Sequence, residues 1–342
     1  VTAASSFAHG APPMQSPVAA GSTPLGEATR GEATPCVTTP GVVYHIDASY
    51  FVFRAYHSMP PDMVDRDGNA THALYGFARF LCDFIERVNP SRIVVAFDES
   101  LRGETSFRCA IYPAYKANRE QPPVDLKRQF ALCREFCRHL GLAEFASTQY
   151  EADDIIGTLA ARTRTAGLSN VLVTRDKDLS QLIRAGDVYW DYTSNARYQY
   201  HEIGARFGAA PEHIADFLAL TGDSVDNIPG VPGIGKKTAT ELFAVFGSLD
   251  ELYANLERVA ALKLRGAGGL AAKLLAHKEA AYLARRLTGI LCDIPLQAHV
   301  DDLRRRPPDG ARLQRFFDEH GFGSILRQQA QRIISGATAQ RR

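Results

Sequence analysis

The chain has no long apolar run. Its longest, Val42 to Ile46 and Ile93 to Phe97, fall far short of the roughly 20 residues a membrane-crossing helix needs. It also lacks the basic start and continuous apolar core of a secretory leader, so a cytoplasmic protein is expected. No sign of charge dominates: 39 Lys and Arg stand against 38 Asp and Glu. That balance speaks at first against a nucleic-acid partner, whose phosphates usually call for a basic surface. There is no cysteine pattern either. Cys36, Cys82, Cys109, Cys133, Cys137 and Cys292 are scattered among apolar or helical surroundings, which suits reduced thiols rather than a disulfide framework. Cys133, Cys137 and His139 come nearest to a zinc site. They lack a second ligand pair at zinc spacing, and the two cysteines fall on the apolar face of a helix, where they read as core.

What is there begins at about residue 42. The 342 residues, 45% of them hydrophobic, can build one large domain or two smaller ones. Residues 1–41 are rich in Ala, Pro, Ser, Thr and Gly and show neither helical nor strand periodicity, so a disordered tail is expected. The apolar runs Val42–Ile46, Arg92–Phe97 and Asn170–Thr174 read as buried strands leading into Asp47, Asp98 and Asp176. Between them lie helices marked by Leu74, Phe77, Ala78, Leu81, Ile85 and Val88, then about 124–140 and 152–165. This alternation predicts an α/β fold with a mainly parallel sheet over 42–200. From 201 to about 330 the chain turns helical and more basic, interrupted by a Gly/Pro-rich stretch at Asp223–Gly235. Arg304–Arg306 and residues 331–342, ending in Arg341 and Arg342, read as solvated basic tail.

In open parallel sheets a site forms outside the carboxyl ends of the strands, where Asp47, Asp98 and Asp176 all arrive. One strand-ending Asp is unremarkable, because Asp also suits turns and caps. Three repeats of the pattern are harder to dismiss. Glu151, Asp153 and Asp154 open a helix within four positions; the helix dipole accounts for acids there, but not for three that repel one another. Asp176 and Asp178, then Asp223 and Asp226, add two more pairs. An all-oxygen donor set with no matching His or Cys selects Mg²⁺ or Mn²⁺ over zinc, and two such ions suit hydrolysis of a phosphodiester. Setting these nine carboxylates aside leaves 29 acids against 39 bases, so a basic footprint re-emerges.

The segments His45–Ser49, Arg54–His57, Val94–Asp98, Phe107-Arg108, Tyr115–Arg119, Glu151–Asp154, Asp176–Asp178 and Gly222–Gly230 resemble, in order, the motifs of the 5′ nuclease family. That family includes the 5′ to 3′ exonuclease domain of bacterial DNA polymerase I and the flap endonucleases. The likeness runs from about Val42 to Leu326. It implies a PIN-like 5′ nuclease fold and a two-metal enzyme that cuts DNA at 5′ ends or flaps. Asp47, Asp98, Glu151 and Asp153 would hold one metal region and Asp176, Asp178, Asp223 and Asp226 the other, with Asp154 adjoining both. Lys116 and Arg119 would act in catalysis. Arg54, Arg108, Lys116, Arg119, Gly230, Gly233, Gly235, Lys236 and Lys237 would touch DNA, and K⁺ would bridge the hairpin to it. Implied partners are 5′-flap, nicked or 5′-ended DNA, an RNA primer strand, and a separate DNA polymerase; without the residues of a fused one, the chain reads as a free-standing nuclease or an excised domain. Ala48 and Arg175 stand where the family commonly has Gly.

Gly230–Thr238 approaches a nucleotide-binding P-loop, but Lys237 occupies the position that needs Ser or Thr, and Pro232 removes a cradle donor. A helix-hairpin-helix clamp fits better, with glycines allowing close backbone approach and helix-start amides meeting phosphate. Arg102, Arg108, Lys116, Arg119, Lys127 and Arg128, interleaved with Phe107, Tyr112 and Tyr115, read either as a solvated helix pair or as a gateway that steers and stacks a single strand. The competing functions are a ribonuclease with a similar acidic site and a catalytically silent DNA-structure-binding protein.

Overall fold

Two runs dense in Val and Ile become adjacent parallel strands, β1 (Val42–Asp47) and β2 (Ile93–Asp98). Successive residues face opposite sides of the sheet. Val43, Val94 and Ala96 enter one hydrophobic cluster, while Tyr44, Ile46, Ile93, Val95 and Phe97 enter the other. Both faces are therefore covered, as a parallel sheet requires. The computed structural model describes residues 41–101, 104–264 and 267–339. The tail expected at 1–41 lies outside them except for Gly41, as do Arg102, Arg341 and Arg342.

Between β1 and β2 run α1 (Ala48–Ser58) and α2 (His72–Val88). Asn89, at φ 47°, closes α2 in the left-handed conformation that Asn tolerates. Then follow α3 (Phe107–Ile111), α4 (Val124–His139), β3 (Ala143–Ser147), α5 (Ala152–Thr165), β4 (Ser169–Val173), β5 (Val188–Asp191) and β6 (Ala196–Gln199). The strand order is β3-β2-β1-β4-β5-β6, with only β6 antiparallel. The chain builds outward from β1 through β2 to β3, then returns by α5 to place β4 on the other side of β1. Such a reversal of direction opens a crevice at the carboxyl ends of β1 and β4. Strands β3, β5 and β6 escaped the sequence pattern because they are short and only β5 has fully buried residues.

The helical part follows as α6 (Tyr200–Phe207), α7 (Ile214–Thr221), α8 (Lys236–Phe246), α9 (Leu249–Ala254), α10 (Leu256–Val259), α11 (Ala267–Ala276), α12 (Lys278–Thr288), α13 (Gly310–Glu319) and α14 (Ser324–Ala339). Leu218, Leu220, Leu242 and Leu287 continue the cluster that α5 forms on the sheet through Ile155 and Leu159. Cys133 and Cys137 are fully buried beside Phe136, which bears out core packing over zinc.

The C-terminal expectation is corrected. Residues 331–339 are not tail: α14 lays Leu326, Ala330 and Ile333 against α2, and Arg332 pairs with Glu86. Leu313, Phe316 and Phe317 of α13 likewise belong to the α2/α4 side of the sheet rather than to the helical region. An apolar stripe at helical spacing outweighs the basic composition. At Arg304–Arg306 the Arg304 and Arg306 side chains are exposed, as expected of a solvated run, but the backbone is not free. The Arg305 amide donates to the Ser91 carbonyl and the Arg306 amide to that of Gly141, so the segment is tied by its backbone to the loops after α2 and α4. No helix among the described residues is long and apolar enough to cross a membrane.

Candidate active site

Eight of the nine carboxylates line one cleft of about 490 Å³: Asp47, Asp98, Glu151, Asp153, Asp176, Asp178, Asp223 and Asp226. Asp47 ends β1, and its side chain caps α1 through the Tyr50 amide and accepts the Thr174 hydroxyl at 2.8 Å. Asp98 ends β2 and accepts from the Ala152 amide at 2.9 Å, which ties the start of α5 to that strand. Glu151 caps α5 and Asp153 sits in its first turn. Asp176 and Asp178 occupy the loop after β4, where the Asp178 amide donates to the Asp176 carboxylate at 2.9 Å. Asp223 and Asp226 sit in a turn closed by paired backbone bonds between Asp223 and Ile228.

Burial and mutual repulsion dominate the electrostatics. Burial, then the charge of Asp176, pushes Asp47 up to about 7. The same two causes push Asp178 up to about 8 and Asp153 well above the usual carboxylate range. Burial raises Asp176 as well. Glu151 goes the other way: burial opposes ionisation, but Lys116 and Arg108 together hold its pKa below the ordinary value. Lys116 donates to Glu151 at 2.8 Å, Lys177 pairs with Asp223 and Asp178, and Arg119 pairs with Asp226. Among the described residues no three acids lie together closely enough to hold a metal ion as they stand, and Lys116, Arg119 and Lys177 pair with acids of the same cleft. The donor set nevertheless fits hard divalent ions. No His or Cys lines the cleft, several of its acids resist ionising without added positive charge, and Glu151 Oε1 is buried with no hydrogen-bond partner.

These shifts set a pH dependence. A carboxyl whose folded pKa exceeds its unfolded value of about 3.9 binds its proton more tightly in the native state, so stability falls as pH rises through the gap. With Asp47 near 7, Asp178 near 8, and Asp153 and Asp176 also raised, the metal-free protein should melt lower at pH 8.5 than at pH 5. His45, which burial lowers to about 4, and His320, also lowered by burial, oppose this up to their ordinary value of about 6.5. The lowered Glu151 has its effect at more acid pH, so the fall is clearest above pH 6.5. Thermal unfolding in EDTA across that range checks it; a flat or rising profile would mean that the acids are already neutralised by the cations around them.

Burial sets Asp154, Arg108 and Tyr115 apart from the other expected site residues. Asp154 is fully buried and does not line the cleft. It forms a two-pronged pair with Arg108 at 2.7 and 2.8 Å and accepts the Glu151 and Leu291 amides. Arg108, 3% exposed, also donates to the Leu287 and Gly289 carbonyls, so it lines the cleft with its donors already engaged by α5 and the end of α12. Tyr115, expected as a stacking ring, is buried too, with its hydroxyl 3.1 Å from both Glu151 and Asp226. Lys116 and Arg119 do line the cleft; Lys116 holds a left-handed φ of 55° while its amide donates to the Asp226 carbonyl. Arg54 is exposed on α1 outside the cleft lining.

The hairpin glycines also divide. A Cβ on Gly230 would lie 2.4 Å from the Gly222 nitrogen, so this glycine serves internal packing rather than an approaching ligand. Gly233 holds φ +79°, while Gly235 caps α8 with open space where a side chain would be. Lys236 and Lys237 are exposed at that helix start. Sequence reasoning overlooked the roles of Lys177, Thr174 and Ser49, which hold Asp223, the Asp47 carboxylate and the Asp98 amide. Lys177, standing between Asp176 and Asp178, was the one visible signal.

An acid-lined crevice at the switch point of a parallel sheet, backed by a helical region with an exposed glycine hairpin, is the architecture of 5′ nucleases. The T5 5′-exonuclease with bound zinc superposes with a TM-score of 0.58 at 17% identity, over 86% of this chain and 98% of that one. The catalytic core of Rad2 in complex with DNA substrate gives 0.57 at 14%, over 86% and 91%. Residues 42–208 match the 5′-3′ exonuclease N-terminal resolvase-like domain and 209–311 the 5′-3′ exonuclease C-terminal SAM fold, so the chain belongs to the 5′-3′ exonuclease family. It is 38% identical over 282 residues to DNA polymerase I of Pseudomonas aeruginosa and 36% over 286 to that of Bacillus caldotenax. Each match covers 82% of this chain but only 30% and 31% of the relative, so the chain spans about a third of their length.

Proposed function

We propose that the protein is a structure-specific 5′ nuclease that hydrolyses DNA phosphodiester bonds from 5′ ends or at 5′ flaps. The observation that carries this reading is the convergence of eight carboxylates from separate segments on one cleft, with Lys116, Arg119 and Arg175 in the same lining. Mg²⁺ or Mn²⁺ would be held by Asp47, Asp98, Glu151 and Asp153 on one side and Asp176, Asp178, Asp223 and Asp226 on the other. Bound there, two such ions supply an activated water and charge stabilisation at the leaving oxygen. Neutralising the acids would release Lys116 and Arg119 from Glu151 and Asp226 to meet substrate phosphate. The Arg108–Asp154 pair keeps the start of α5, and with it Glu151 and Asp153, in place. Further parts of the reading are K⁺ at the hairpin, an RNA primer strand as substrate, a separate polymerase as partner and a cytoplasmic location.

The test is incubation with end-labelled flap, nicked and single-stranded DNA in Mg²⁺, Mn²⁺ or EDTA, with matched RNA strands alongside. Metal-dependent release of 5′ products from DNA is expected. Cleavage of RNA alone would favour a ribonuclease, and binding without cutting in either metal a silent structure-binding protein.

The hairpin gives a second expected result. Gly235→Val fills the open space at the start of α8 without requiring a positive φ, and should weaken binding to nicked duplex while leaving short single strands little affected. Lys236→Ala should flatten the log–log salt dependence of duplex binding by about one. Isotherms over a salt series check both. Wild-type duplex affinity in the Gly235 variant would remove the hairpin from the interface.

A further inference from the structure

Beside the catalytic cleft lies a second pocket of about 260 Å³, below the roughly 300 Å³ at which sites for drug-sized ligands begin. Its wall is aromatic. Tyr198 and Phe207 meet edge to face with ring centroids 6.0 Å apart, and Tyr189 backs Phe207 at 5.3 Å. Its rim is basic, with Arg175, Lys177, Arg206 and Lys236 against one acid, Asp191. Lys177 is committed to Asp223 and Asp178, and Arg175 lies 3.6 Å from Asp191. Arg206 and Lys236 have no acid partner among the described residues. The Arg206 guanidinium lies 5.7 Å from the Tyr198 ring and 5.4 Å from that of Phe207. Arg175 and Lys177 line both this pocket and the cleft, so the two cavities adjoin at these side chains.

An aromatic wall that offers a ring face beside an edge, with unneutralised cations at its mouth, matches the chemistry of a base joined to a phosphate, because bases stack on aromatic faces and phosphates seek paired donors. Two exposed cations alone would be a solvated surface; the recessed rings beside them are what a solvated surface lacks. We infer that this pocket is a single-nucleotide subsite of the DNA strand: one base lies against Tyr198 and Phe207 while its phosphate is held by Arg206 and Lys236. Arg175 stands between that nucleotide and the one in the cleft. The inference rests on the nuclease reading for its source of nucleotide, but its geometry is separate from the carboxylates.

The experiment places 2-aminopurine at successive positions around the cleavage point of a flap DNA and measures its fluorescence and affinity in EDTA with the intact protein. Quenching at one position is expected for wild type, and it should be lost in Tyr198→Leu, which keeps the apolar filling. Arg206→Ala, at an exposed position, should weaken DNA binding about 5- to 20-fold. An abasic nucleotide at the quenched position should cost the wild type a similar factor and the Tyr198 variant almost nothing more. Quenching that survives Tyr198→Leu at every position, or affinity unchanged by Arg206→Ala, overturns the subsite. So does a pocket that binds free dAMP but leaves the 2-aminopurine in DNA unaffected. A wild type that shows Tyr198-dependent quenching yet cuts nothing in Mg²⁺ or Mn²⁺ would support the subsite while defeating the nuclease assignment.

Discussion

Replacing Asp176 with alanine is expected to lower DNA cleavage at saturating Mg²⁺ by about a thousandfold or more, since losing divalent-ion chemistry costs several kcal/mol and each 1.36 kcal/mol is tenfold in rate. DNA affinity in EDTA should hold or rise, because the acid repels phosphate when no metal screens it. Asp176 is the acid whose charge reaches furthest: it is the largest electrostatic cause of the upward shifts at Asp47, Asp153 and Asp178. Its removal should therefore also raise the melting temperature of the metal-free protein, most clearly near pH 8, where those neighbours ionise. Activity lost while stability is gained separates a site acid from a structural one. Single-turnover cleavage, binding in EDTA and a melt at pH 8 together check this, and near-normal turnover would remove Asp176 from the machinery.

Arg108→Ala should instead lower stability. Asp154 is fully buried, and with its two-pronged partner gone it is left as an uncompensated charge in the interior. Breaking a buried pair from one side costs about 3–5 kcal/mol, and the carbonyls of Leu287 and Gly289 would lose their donor as well. Urea unfolding should show the loss. Replacing both partners with apolar residues of similar volume should recover much of it, since no charge is then stranded. If Arg108 serves as a DNA contact rather than as the partner of Asp154, the alanine variant will fold like wild type and bind DNA less well. That result would return Arg108 to the interface.

Several features were legible along the chain because they are local. The runs at 42–46 and 93–97 are apolar apart from His45, which suits a strand covered on both faces, and Asp47 and Asp98 follow them directly. Helices α2, α4 and α5 announce themselves by apolar residues on one face at helical spacing. Strand β3 does not, because its five residues are all half-buried and carry no alternation.

Composition misled where burial and charge diverged. Arg108, Lys116 and Arg119 belong to one basic stretch and all line the cleft, yet Arg108 is buried against Asp154 while Arg119 is 33% exposed at its side chain. Glu151, Asp153 and Asp154 are neighbours in sequence, yet the helical turn that brings the first two to the cleft carries the third into the core. Gly230 and Gly235 look alike in a glycine-rich loop, although one is pressed against the backbone of Gly222 and the other faces open space.

The sequence by itself determined the elements that depend on neighbours in the chain: strands from unbroken apolar runs, helices from their stripe, and the acids placed at the ends of both. Only the tertiary structure decided which of those acids face the cleft and which basic residues are consumed in holding them. A charged side chain's role depends on what desolvates and pairs it, and those groups come from segments far apart in the chain: Arg108 meets Asp154 across 46 residues and the Leu287 carbonyl across 179.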